Sequence, residues 1–292
     1  MELSSTCMAC HVKREEEKLQ GVKDEQLRAK YMRAVLKHIA ESDKNTNSPC
    51  LVSELETMYE AHFGTKFSRK VEKEKFNSLM MELRGEIEKR IQQSADSVLC
   101  ALKYARVGNY IDFGAVRDVS VERLMELLSA ADANEFDEIE YKQFLSDLDN
   151  AKSLVYVTDN CGEVILDMLL IQELKKRWPK LKITALVRGQ DAINDVTLED
   201  AKAVGLTELV PVIGNGTSIA GTPIDRISDE ARELLESADL ILAKGQGNFE
   251  TMHGSGLPIY FAFLCKCELF TRTFGLPVNT GVFKRESQIK TW

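Results

Sequence analysis

The stretch Leu154-Val155-Tyr156-Val157-Thr158-Asp159-Asn160-Cys161-Gly162-Glu163 decides the fold. Four apolar residues run into a short polar loop, and residues 163–177 then repeat apolar side chains at helical spacing. That is a strand, a turn and a helix. The same unit recurs downstream: apolar runs at 183–187, 209–213 and 240–243 alternate with amphipathic segments at 198–204 and 229–237. A βαβαβαβ order implies a parallel sheet covered on both faces. A last pair of strands is expected at 259–265 and 277–283. Upstream, residues 15–148 are charged, poor in proline and apolar at helical intervals, with breaks at 45–49, 64–68 and 108–117. The expected fold class is therefore α/β, a helical N-terminal part (1–150) followed by a mainly parallel α/β/α sandwich of Rossmann-like type (151–292).

Composition narrows the partners. At 292 residues, with 44% hydrophobic and 29% charged residues, the chain can bury a substantial core. A net charge of -8 without a basic stripe offers little to a nucleic-acid backbone, so no nucleic acid is expected. No apolar run reaches the ~20 residues of a membrane span, and the first residues lack the features of a signal peptide, which makes the cytoplasm the expected location. Seven cysteines, an odd number, argue for free thiols over a disulfide framework.

In an open parallel sheet, ligands bind beyond the carboxyl ends of the strands. Those positions hold Asp159, Asn160 and Glu163 after the first strand; Arg188, Asn194 and Asp195 after the second; Gly214-Asn215-Gly216 after the third; and Lys244-Gly245-Gln246-Gly247 after the fourth. Hard oxygen donors such as Asp159, Asn160 and Asp195 suit Mg²⁺ or Mn²⁺ better than zinc. The same residues could instead cap the helices that begin near Gly162 and Val196. Lys244, beside two glycines that bare the backbone, suits an anion such as phosphate, or forms a tight turn with a snorkelling lysine.

Three motifs in order, Asp159 to Glu163, Arg188-Gly189 through Asn194-Asp195-Val196-Thr197, and Lys244-Gly245-Gln246-Gly247-Asn248-Phe249-Glu250, resemble those of the damage-control phosphatases. The similarity extends to Gly108-Asn109-Tyr110-Ile111-Asp112-Phe113 and to Cys7-x-x-Cys10, as in the branch that carries a CxxC, and so spans nearly the whole chain. The resemblance implies hydrolysis of phosphomonoesters of small metabolites, with a divalent ion (Mg, Mn, Co or Ni) on Asp159, Asn160 and Asp195. It makes Asp159, Asn160, Glu163, Asn194, Asp195 and Lys244 catalytic. Substrate is expected on Asn109, Arg188, Ser218, Lys244, Gly245 and Gly247, with Asn109 and Asp112 reaching in from the helical part. Cys161 departs from the small residue expected there, a space that a buried thiol can fill.

Other readings carry less. Cys7-x-x-Cys10-His11 has the spacing of a haem attachment site without any export signal. A four-thiolate zinc or redox site with Cys265 and Cys267 competes with free buried thiols. Asp132 to Phe136 begins like a calcium loop, but it lacks the glycine of the turn. The alternative function is a phosphometabolite-binding regulator without turnover, which could rely on Lys244 and glycine amides alone; the acidic set favours an enzyme. No Gly-x-Gly-x-x-Gly follows the first strand, which weakens a dehydrogenase.

Overall fold

The structure is a computed structural model that describes residues 2–43, 46–65, 68–114, 119–133 and 135–289. The sequence breaks at 45–49, 64–68 and 108–117 and the calcium-like loop at 132–136 fall partly on residues outside these. The chain forms two compact units, Met1–Ser68 and Arg69–Trp292. No helix among the described residues is long and apolar enough to cross a membrane.

The first unit is helical: α1 (Ser5–Lys18), α2 (Glu25–Glu41) and α3 (Ser48–Phe63), with Ser4, Asp24 and Asn47 as side-chain N-caps. Tyr31, Val35, Ile39, Leu51 and Leu55 form its core. Helix α1 begins ten residues before the expected helical half, so Cys7 and Cys10 lie on a helix. None of the seven cysteines is in a disulfide. Inside this unit the buried His11 shares a 2.9 Å hydrogen bond with Ser48 Oγ.

The second unit holds α4 (Lys70–Gln93), α5 (Ser97–Gly108), α6 (Val121–Ser129) and α7 (Glu138–Asn150), then β1 (Ser153–Val157), α8 (Glu163–Arg177), β2 (Lys182–Val187), α9 (Leu198–Ala203), α10 (Leu206–Leu209), β3 (Val212–Gly214), α11 (Asp229–Glu236), β4 (Leu240–Lys244), α12 (Gln246–Met252), β5 (Ile259–Leu264), α13 (Glu268–Phe274) and β6 (Gly281–Arg285). Among the described residues the sheet has six strands in the order β3-β2-β1-β4-β5-β6. The first five are parallel and β6 runs antiparallel to β5. The expected α/β class, with its helical part and mainly parallel sandwich, is what the structure has.

The change of texture near residue 150 is a change of secondary structure within one packed unit, because α4 to α7 share a continuous core with the sheet and α8. Helix α5 lies close against α8 at Gly108, where a Cβ would come within 2.7 Å of Leu166 Cδ1. This approach delivers Asn109 to the strand ends.

Three local expectations shift. Residue 209 closes α10, and β3 starts only after Pro211. The Gly245–Gly247 stretch opens α12, where a tight turn was one of the two readings. The final strand starts at Gly281 and not at 277, because the chain reverses: Asn279 N–H donates to the Cys265 carbonyl and Cys265 N–H to that of Thr280.

Burial first, then the charges of Arg14 and Lys18, lowers the His11 pKa from 6.5 to about 4. A neutral histidine in the fold stabilises above the unfolded value and loses that contribution as pH falls from 6.5 through about 4. The first unit should therefore melt earlier across that window. His11→Gln should flatten the dependence, read from melting curves between pH 7.5 and 4 together with the imidazole titration by NMR.

Candidate active site

Strand order reverses between β1 and β4, so the loops after these neighbours part and leave a crevice at their carboxyl ends. Asp159 follows β1 there, and Gly245 follows β4. Gly245 has φ +82, and a Cβ on it would collide with the Asp159 carboxylate. Only glycine lets the two strand ends lie this close.

Two amides hold the Asp159 carboxylate. Asn109 Nδ2 donates to Oδ2 at 2.9 Å and Asn160 Nδ2 to the same oxygen at 2.6 Å. Both amides also donate to Glu163, at 3.0 and 2.8 Å to Oε2. Asn109 is fixed from its other end, since its Oδ1 accepts from Leu264 N–H at 3.1 Å. Asp195 is brought alongside by an isolated bridge between its backbone and that of Asn160. The next residue back, Asn194, is clamped by the Asn109 loop: its Nδ2 donates to Ile111 O and its Oδ1 accepts from Phe113 N–H.

Arg188 ties the two aspartates together. Its Nε donates to Asp195 Oδ2 at 2.6 Å, Nη1 donates to Thr222 Oγ1 at 3.1 Å, and Nη2 lies 3.5 Å from Asp159 Oδ1. Among the described residues, this buried Nη2 makes no hydrogen bond. The helix-capping alternative does not hold: α8 has Gly162 as N-cap with no side-chain bond, and α9 is capped by Thr197 and Asp200.

Lys244 corrects the expectation placed on it. It is fully buried, and its ammonium donates to Ala105 O at 2.8 Å, Glu163 Oε1 at 2.7 Å and Asp167 Oδ1 at 2.6 Å. An ammonium has three hydrogens, and all are taken. Glycine exposes backbone after β4 as foreseen, but the side chain goes into the interior, because a lysine at a strand end beneath two buried carboxylates is more stable paired than in the crevice. Gly247 is likewise packed, its Cα facing Ala220 O, and Ser218 is half-buried in the loop after β3.

The electrostatics follow from this crowding. Burial, then the Asp195, Glu163 and Asp112 carboxylates, pushes the Asp159 pKa well above its ordinary value, while Lys266 pulls it back. Burial raises Asp195 to about 6 against the pull of Arg188. Asp167 is also pushed up to about 6 by burial, with Lys244 opposing. Burial works to lower the Lys244 pKa, but the two carboxylates outweigh it and hold it above the usual range.

Among the described residues no group of three or more His, Cys, Asp or Glu side chains is gathered for a metal. The site offers two aspartates and the carbonyl oxygen of Asn160, whose amide hydrogens are already donated. Two like carboxylates buried side by side, both raised in pKa and sharing one arginine, are an all-oxygen set that a hard divalent cation would neutralise. The residues present fit such an ion.

Residues 3–281 match the family model of the damage-control phosphatase ARMT1-like domain. The chain belongs to that family. A damage-control phosphatase of Archaeoglobus fulgidus is 32% identical over 264 residues, covering 83% of this chain and 91% of that protein. A second one, from Pyrococcus horikoshii, is 34% identical over 186 residues, covering 63% of this chain and 64% of the relative. The crystal structure of a DUF89 family protein from Pyrococcus horikoshii superposes with a TM-score of 0.80 at 26% identity, over 98% of this chain and 99% of the other.

Sequence reasoning missed Asp167 and Lys266. Asp167 has a signal: it is the one acidic residue in the run Val164 to Ile171, one helical turn after Glu163. Lys266 had only its place after a strand. Replacing Lys244 by methionine would strand two buried carboxylates. Lys244→Met should destabilise the protein by about 3–5 kcal/mol in urea titrations, and the double variant with Asp167→Asn should recover part of that loss.

Proposed function

We propose that the protein is a divalent-metal-dependent phosphatase that hydrolyses phosphomonoesters of small metabolites, such as sugar phosphates or damaged phosphorylated cofactors, in the cytoplasm. The observation that carries this reading is the convergence of Asp159, Asn160 and Asp195 at the β1/β4 crevice in a chain of this family. Its relatives named damage-control phosphatases support the reaction class.

Asp159, the Asn160 carbonyl and Asp195 would hold the cation, which when bound supplies positive charge to phosphoryl oxygens. The protein's own part is positioning. Asn109 and Asn160 aim their N–H groups at Asp159 Oδ2 and Glu163 and fix the direction in which the remaining carboxylate oxygen points. Asn194, locked to the backbone of Ile111 and Phe113, holds the Asp195 segment against the loop after β1. Arg188 Nη2, which lies 3.5 Å from Asp159 and makes no hydrogen bond among the described residues, is available to a phosphoryl oxygen. Glu163, deep beneath the crevice, is an orienting group for the amides, with Lys244 compensating its charge.

Stripped of metal, the protein should release no phosphate from a panel of phosphomonoesters, and Mg²⁺, Mn²⁺, Co²⁺ or Ni²⁺ added singly should restore release. Full turnover in excess chelator would refute metal dependence, and tight binding of the panel with no turnover under any metal would favour a regulator. Asp159→Asn should lower kcat/KM by about 100-fold or more. The same variant should leave the metal-free protein as stable or more so, since it removes one of two crowded carboxylates.

A further inference from the structure

The loops that carry Asp159 and Asp195 share backbone hydrogen bonds, Cys161 N–H to Asn194 O at 2.9 Å and Val196 N–H to Asp159 O at 2.8 Å, which set their register. Their outer ends are held by a helix that belongs to no motif at the site. Lys73, on α4, is buried, and its ammonium reaches Asp191 Oδ1 at 2.8 Å and Asp200 Oδ2 at 2.6 Å. These carboxylates stand four residues before Asp195 and five after it, so one lysine clasps both ends of the segment that presents the aspartate. Asp200 also completes the capping box of α9 with Thr197, which anchors that end further.

One turn further along α4, Asn77 Oδ1 accepts the Gly162 N–H at 2.6 Å. Gly162 is the N-cap of α8 and has no side chain to do this itself; at φ +83, a Cβ there would come within 2.9 Å of Phe76 Cβ. The helix therefore packs directly on the end of the Asp159 loop. Phe76, between the two polar residues, meets Phe113 edge to face with centroids 5.6 Å apart. Phe113 shares its loop with Asn109 and with Asp112, whose Oδ2 accepts from the Lys266 ammonium at 2.6 Å. Lys73, Phe76 and Asn77 thus touch all three loops that assemble the aspartates. The Asp195 segment needs its clasp: Ile193, a β-branched residue, stands at φ +48 in the left-handed region, and such strain persists only where the surroundings over-determine the backbone.

The geometry points to α4 as the element that sets the spacing of Asp159 and Asp195, with Lys73 and Asn77 as positioning residues on which the affinity of the site for a divalent cation depends. The assignment rests on the metal-dependent reading above. Among the described residues neither side chain bonds to Asp159, Asn160 or Asp195, so each acts through the loop it holds. The charge of Lys73 argues in the other direction. Burial raises the Asp195 pKa, and Arg188 and then Lys73 oppose that rise, so a lysine acting through charge alone would repel a cation bound there. Its removal would then tighten metal binding, whereas removal of a clasp loosens it.

The test is calorimetric titration of Mn²⁺ into the metal-stripped full chain, with amide hydrogen exchange across residues 188–197 measured before metal is added. Lys73→Met should weaken Mn²⁺ binding by about tenfold and speed exchange in that segment, and Lys73→Arg should restore most of both. Asn77→Ala, which changes no charge, should also weaken Mn²⁺ binding, and it decides the matter if Lys73→Met fails to fold. Lower melting temperatures with Mn²⁺ affinity unchanged or tightened would make these residues purely structural and overturn the assignment. If the wild type hydrolyses monoesters with added metal while both variants bind Mn²⁺ as it does, the phosphatase reading stands and the role of α4 falls. If the wild type binds no divalent cation, the metal dependence fails and the affinity claim with it, and faster exchange in Lys73→Met then leaves only the clasp on the Asp195 segment standing.

Discussion

The Lys244 ammonium, enclosed between Glu163, Asp167 and the Ala105 carbonyl, is the interaction on which the rest of the site depends. Two carboxylates could not lie side by side on the buried face of α8 without a compensating charge. With Lys244 there, Glu163 can accept hydrogen bonds from Asn109 and Asn160, and those amides in turn orient Asp159. Tyr156 completes the cluster from inside β1 by donating to Asp167 at 2.7 Å. One lysine at the end of β4 thus fixes a chain of contacts through α8 and α5 to the end of β1.

Charge sorts itself into layers along this chain. Deep in the unit the lysine faces two carboxylates, and above it the neutral amides of Asn109 and Asn160 form a belt that donates both upward and downward. Above the belt, Asp159 and Asp195 face a single arginine. The lower layer is balanced by close contacts, whereas the upper layer is short of positive charge, as the raised pKa of both aspartates records. The asymmetry leaves a settled foundation beneath an outer pair of carboxylates whose repulsion a cation, if bound, would relieve.

Much of this was legible before the structure. Short apolar runs between segments of helical period located the strands, and a hard-oxygen set at strand ends follows from the rule that such ends carry the chemistry. The structure brings Asp159, Asn160, Asp195, Glu163, Asn194, Arg188 and Asn109 together. What escaped was direction. Lys244 and Lys266 both follow strands, and spacing alone does not say that the first turns inward to Asp167 while the second is held toward Asp112. The antiparallel return of β6 also escaped, because it depends on backbone bonds between Cys265 and the 279–280 turn, which leave no side-chain pattern.

The reach of Asn109 also sets the limits of dissection. Its side chain touches β5 through Leu264, β1's loop through Asp159 and α8 through Glu163, although it is itself delivered by a helix that precedes the whole sheet. A fragment cut at the textural boundary near residue 150 would keep every strand and lose the amide that joins three of the elements around the crevice. Recombinant or split versions of this protein therefore need their seam ahead of α4, where the compact unit itself begins.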